Sequence, residues 1–309
     1  MSKINTIIAT SIACAGLMHG GIAQADYEWA FTGGNSSGVP NSANTCTSPN
    51  NANRTTYGNC GEWAPTPTGG PNVQATAWSN TGTDPAGAPV GNQIQNAYLA
   101  AWSGNLGVIN RTEGGNTTGT PTASSPNHSL DNSGQYDSIL LSFDSAISLT
   151  GVRIGWPDGA YDSDITVLAY TGGGSFSGFS SSATYESLTA SGWTLVGHYA
   201  DADRSPSSTD PALAIDTDVT SRYWLIGAYN PLVGGTSSSA DTSCQSTSGK
   251  SCDTYTKDYV KILAVTGVNS PPPGPGRVPE PSAWMLLFAS AGAAVVAGKA
   301  RGRRPSLKV

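Results

Sequence analysis

Between residues 26 and 268 the apolar residues arrive in short runs, and clusters of Gly, Pro, Asn and Ser divide each run from the next. The runs fall at 27–31, 73–78, 97–102, 106–109, 138–143, 149–156, 165–170, 193–199, 222–228 and 259–265. Several are filled by β-branched and aromatic residues, which suit a pleated, half-buried surface. No segment in this region carries a sustained 3.6-residue apolar period, so no amphipathic helix is available to cover a sheet. Strands that cannot be covered by helices must cover one another. The chain is therefore expected to be all-β: a single sandwich or jelly-roll-like domain of about ten short strands over 26–268, long enough to bury a sizeable core.

Composition supports this and narrows the partners. The 309 residues include 38 Gly and 20 Pro, with only 12% charged, which favours turns over helices. From 26 to 277, nine Lys and Arg stand against twenty Asp and Glu, a net −11. A body so acidic offers no basic track for phosphates, so nucleic acid is excluded as a partner, whereas neutral polysaccharide and divalent cations are compatible with it.

Both ends carry transport features. Residues 1–25 read as a secretory signal peptide: Lys3 supplies the positive start, 4–18 the apolar run, and Ala23-Gln24-Ala25 the small-residue cleavage pattern, with cleavage before Asp26. Removing that segment takes Cys14 with it and leaves Cys46, Cys60, Cys244 and Cys252, an even number in an oxidising compartment. Three connectivities are open; the two local bridges, Cys46–Cys60 and Cys244–Cys252, are favoured because both lie in Ser/Thr/Asn/Gly-rich stretches with little apolar surface to bury. No C-x-x-C is present to suggest zinc instead.

At the other end, 269–277 (NSPPPGPGR) is a proline-rich spacer suited to extended polyproline II. Val278, Pro279, Glu280 and Pro281 follow, then the uncharged stretch 282–298, then Lys299, Arg301, Arg303 and Arg304. Seventeen helical residues reach about 25 Å, the short end of what crosses a hydrocarbon core. The basic cluster beyond them marks the retained, cytoplasmic side. Motif, span and basic end in this order resemble the PEP-CTERM sorting signal of Gram-negative bacteria. The resemblance implies an exosortase as partner, with signal peptidase at the other end. It further implies an inner-membrane-held precursor, membrane contact through 282–298 before processing, and a mature form at the cell surface or in the exopolysaccharide matrix.

Inside the body, Ala77-Trp78-Ser79-Asn80, Leu106-Gly107-Val108, Glu113, the H-x-x-D-N element from His128 to Asn132 and the runs at 135–143, 152–156 and 162–168 are similar to a family of exosortase-dependent surface proteins. No catalytic role comes with that likeness. Read directly, His128, Asp131, Asn132 and Asp137 form one polar turn entering a strand, and Asp158, Asp162 and Asp164 form another. Such residues serve as turn formers, with side chains bonding nearby backbone amides. Gathered on adjacent loops they would also suit Ca²⁺, which takes six to eight oxygens, although no D-x-D-x-D-G loop is present. No cofactor is required by this reading.

No G-x-S-x-G elbow and no H-E-x-x-H occurs, and His198 sits in an alternating run where a histidine is ordinarily structural. The expected function is accordingly non-enzymatic. The alternative classes are a carbohydrate-binding module using Trp63, Trp78, Trp102, Trp156, Trp193 or Trp224 as a platform, and a secreted polysaccharide hydrolase with paired carboxylates. Five N-x-S/T triplets, beginning at Asn35, Asn53, Asn110, Asn116 and Asn127, are frequent enough in such a chain to arise by chance.

Overall fold

A computed structural model describes residues 26–31, 56–82, 92–102, 105–114, 120–157, 162–200, 202, 212–234 and 257–269. The chain divides into two compact units, 1–270 and 271–309, and every described residue belongs to the first. Ala23, Ala25, Cys46, Asp158, Cys244, Cys252, the motif from Val278 to Pro281 and the stretch 282–298 lie outside the described residues. Among those described, no helix is long and apolar enough to cross a membrane.

The elements are β1 (Asp26–Ala30), β2 (Cys60–Trp63), β3 (Val73–Ser79), β4 (Gln95–Asn96), β5 (Tyr98–Trp102), β6 (Asn105–Ile109), α1 (Arg111–Gly114), β7 (Leu130–Asp131), β8 (Asp137–Pro157), β9 (Ile165–Tyr170), β10 (Trp193–Tyr199), β11 (Leu213–Ala214), β12 (Ser221–Ala228) and β13 (Tyr259–Asn269). The protein is all-β. Its helical content among the described residues is the single turn of α1 and two 3₁₀ turns, Tyr185–Ser187 and Thr189–Ser191. Strand ladders between the elements are antiparallel, and the main path runs β10-β9-β12-β8-β13-β6-β5.

The organising strand is β8, 21 residues long where strands of five or six are usual. Two expected runs, 138–143 and 149–156, are both parts of it. Its first part pairs with β12 on one side (Leu141↔Trp224, Ile139↔Ile226) and β3 on the other (Leu141↔Ala75, Ile139↔Ala77). Its second part pairs with β13 (Val152↔Val265, Ile147↔Asn269) and with β11. Across Asp144 and Ser145, which are exposed, β3 gives way to β13 and β11, while β12 still reaches Ile147 through Ser221. The ladder of β8 with β13 is interrupted by register shifts at Lys261/Ile262, Ile262/Ala264 and Thr266/Gly267, the irregularities by which long strands bend.

Alternation along these strands sorts side chains into two clusters. Ile139, Leu141, Phe143, Ile147 and Leu149 of β8 join Val73, Ala75 and Ala77 of β3, Trp224 and Ile226 of β12, and Val260, Ile262 and Val265 of β13 in the main core. Trp29 meets Phe143 edge-on at 4.8 Å, and Phe31 meets Trp63 at 5.1 Å. The alternate residues Leu140, Leu168 and Leu225 belong to the opposite face. They form a second cluster with Tyr185, Leu188 and Trp193, against which Phe176 and Phe179 pack. Asp26 lies opposite Val268 in the β1–β13 ladder, so the beginning and end of the described body are neighbours.

Candidate functional site

Of the seven residues expected at a ligand site, six are described, and the four aspartates among them separate into two acidic groups that each recruit a carboxylate from elsewhere. Asp131 and Asp137 meet Glu113; Asp162 and Asp164 meet Asp258. Asn132 joins the second group rather than the first, through Asp258. His128 joins neither group by any contact described. Its ring lies 6.1 Å from that of Trp156, and burial, with Lys261 adding to it, pushes the imidazole down to about 4.

The first group is assembled where β6 turns into α1. Asn110 caps this turn: its Oδ1 accepts from the Thr112 and Glu113 N–H groups at 3.0 and 3.1 Å, and Glu113 Oε2 accepts from the Asn110 N–H at 3.3 Å. This is a reciprocal capping arrangement with Asn in the hydroxyl residue's place. The remaining amide of Asn110 donates to Asp137 Oδ1 at 3.3 Å. Asp137 opens β8 opposite Ser79, and Asp131 closes β7, where its Oδ1 accepts the Ser133 N–H at 2.9 Å. Each carboxylate is thus held through one oxygen by an N–H.

The other oxygens are not so served. Asp131 and Asp137 are buried, and among the described residues no well-formed hydrogen bond reaches Asp131 Oδ2, Asp137 Oδ2 or the buried Ser79 hydroxyl, although Ser79 stands close enough to Asp137, and Glu113 to Asp131, to act on their pKa values. One oxygen from each carboxylate lies within 4.8 Å of the other two. None of the three forms an ion pair with a described residue, and Lys257 acts on Asp131 only from a distance. Burial therefore dominates: it pushes Glu113 up to about 9 with the Asp131 charge adding to it, and Asp131 up to about 7 against the Ser133 N–H. Asp137 rises well above the usual carboxylate range through burial and then through the charges of Asp131 and Glu113. A water-sized cavity lined by Asp137, Ser138, Thr166, Tyr185, Gly227 and Asn230 borders this group.

The second group is built differently. Asp162 and Asp164 precede β9, Asp258 precedes β13, and Asp162 bridges to Asp258 in parallel. Both oxygens of Asp258 accept: Oδ1 from the Asp164 N–H at 2.8 Å, Oδ2 from Asn132 Nδ2 at 2.5 Å. The Asp258 N–H in turn donates to Asn132 Oδ1 at 2.8 Å, and Asn132 Nδ2 also reaches the Tyr229 carbonyl at 3.1 Å. Burial, then the Asp164 charge, pushes Asp258 up to about 8. The arrangement knots the 132 turn, the entrance to β9 and the entrance to β13 together.

Sequence reasoning missed Asp258 altogether and did not place Glu113 at a site. Glu113 lies 18 positions before Asp131, and Asp258 lies 94 after Asp164, so neither shares a loop with its partners. The available signals were Asn110-Arg111-Thr112-Glu113 directly after a strand, which has N-cap spacing, and an Asp immediately before the run at 259–265. The other candidates have structural surroundings. His198 Nδ1 lies 2.8 Å from Thr166 Oγ1 with its ring edge-on to Tyr229, and Asn110 of the third N-x-S/T triplet is buried. Trp63, Trp193 and Trp224 are buried, while Trp78 and Trp156 are half-buried, and Lys261 Nζ lies 4.0 Å from the Trp156 ring centre. Cys60 is disulfide-bonded.

The chain matches no protein-family model, no curated protein and no solved structure. Functional assignment therefore rests on the residues themselves.

Proposed function

We propose that this chain is an exported, non-enzymatic surface or exopolysaccharide-matrix protein, handed to an exosortase through Val278, Pro279, Glu280 and Pro281. The observation that carries this is the order of features after β13: a proline-rich stretch, the motif, an uncharged span at 282–298 and a basic end. Its body is a two-layer sandwich turned about the middle of β8. Support for the layering comes from the main core, to which both parts of β8 and their separate partners contribute.

The placement of the termini supports processing at both ends. Asp26 begins β1, and β13 runs to Asn269, so the two expected cuts fall beyond the outermost paired residues, Asp26 and Asn269. Either cut would leave the ladders whole. The acidic groups favour a non-hydrolytic body: their oxygens are within 4.8 Å of one another and mostly buried. Carboxyl groups flanking a glycosidic bond stand about 5 Å or more apart around an open cleft.

Removing the exosortase from the producing cell tests the assignment. The precursor that still carries 278–309 should accumulate in the inner membrane, and unchanged release of the same extracellular product would refute the assignment.

A further inference from the structure

The geometry points to a divalent-cation site at Glu113, Asp131 and Asp137, with Ca²⁺ as the ion it takes. The sorting reading neither requires this site nor depends on it. Three carboxylates converge from α1, β7 and the first residue of β8, and one oxygen of each lies within 4.8 Å of the others. That limit is the widest gap an ion about 2.4 Å from each oxygen can bridge. Proximity of acids alone would not make a site; the unserved oxygens point to a ligand. Asp131 Oδ2, Asp137 Oδ2 and Ser79 Oγ are buried without a well-formed hydrogen bond among the described residues, on residues that are 0%, 1% and 0% exposed.

The N–H donors nearby are spent on the opposite oxygens: Ser133 on Asp131 Oδ1 and Asn110 on Asp137 Oδ1. These bonds orient each carboxylate, and they leave the acceptor oxygens to something that is not a protein donor. A cation among them takes the place of the protons that burial and mutual repulsion otherwise hold on these carboxyls. The donor set is all oxygen, which selects hard ions over thiolate- and imidazole-seeking ones. Three carboxylates supply part of the six to eight oxygens that Ca²⁺ takes. The Ser79 hydroxyl and water can supply others, and a water-sized cavity borders Asp137. The second acidic group offers a contrast, because both oxygens of Asp258 already accept N–H bonds.

The test uses the full chain, stripped with EGTA at pH 7.5 and titrated with CaCl₂ alone. At about a hundred times the dissociation constant, Ca²⁺ should raise the thermal midpoint by about 5 °C or more. Asp137→Asn and Asp131→Asn should each weaken Ca²⁺ binding, read by isothermal titration, by more than about tenfold. Their metal-free midpoints should stay close to the wild type or exceed it, because the amide oxygen keeps the N–H bond now made to Oδ1 and burial already disfavours the charged form of the carboxyl it replaces. Asp258→Asn should keep the full Ca²⁺ response. The assignment is overturned by absence of binding up to about 10 mM Ca²⁺, above the weakest extracellular calcium modules. It is also overturned if both Asp131 and Asp137 variants respond like the wild type, or if only Asp258→Asn abolishes the response.

Discussion

Asp258 should make the stability of the body fall as pH rises, and a single substitution should remove one proton's worth of that slope. Folding raises its pKa from an unfolded value near 3.8 to about 8, chiefly by burial. Between those values the native state binds a proton that the unfolded state does not, so stability is greatest below pH 3.8 and declines up to about pH 8. The slope is about 1.4 kcal/mol per pH unit, and the full interval is worth on the order of 5 kcal/mol.

Asparagine at 258 cannot ionise, but it has its own cost. It retains the Asp164 N–H on its carbonyl and turns an NH₂ toward the Asn132 NH₂, losing a bond that the carboxyl makes at 2.5 Å. That loss costs about 1–2 kcal/mol. Asp258→Asn should therefore be less stable than the wild type at pH 5 and more stable at pH 8.5, with the two curves crossing between. Urea denaturation in EGTA across this range reads both. His128, pushed down to about 4 by burial, loses stability in the opposite direction as pH falls below about 6.5, but it is common to both proteins and cancels in the difference. Parallel curves, or a variant less stable at every pH, would refute the reasoning.

Three further outcomes follow from packing and covalent structure. A Cβ on Gly107 would stand 2.1 Å from the His128 carbonyl oxygen, so Gly107→Ala should destabilise by about 1–3 kcal/mol in thermal or urea melts. Phe143 is 1% exposed and meets Trp29 edge-on; Phe143→Ala should cost about 3–5 kcal/mol by urea denaturation. Reducing the Cys60 bridge should lower stability by about 2–5 kcal/mol, and unreduced peptide mapping should pair Cys60 with Cys46.

The strands were legible wherever alternation and turn residues spoke together. The runs at 165–170 and 193–199 coincide with β9 and β10, because β-branched and aromatic residues there are bounded by Gly, Ser and Asp. β8 read as two strands because Asp144-Ser145 looks like a turn, yet the chain stays extended through it and only changes partners. β2, β4, β7 and β11 are two to four residues long, too short for a period to register, and they exist through their ladders. The acidic turns were visible as turns, but their long-range partners are decided by register: Asp131 pairs with Tyr259, which brings Asp258 to Asn132. Glu113 enters through the Asn110 cap, a local signal whose long-range consequence lies in Asn110's second bond, to Asp137.

The central claim concerns the ends of the mature chain, and intact mass spectrometry of the protein recovered from the cell surface and medium tests it most directly. The account predicts a product that starts at Asp26 and stops near Val278, Pro279, Glu280 and Pro281, with 282–309 missing. A secreted product that retains its C-terminus through Val309 would contradict it.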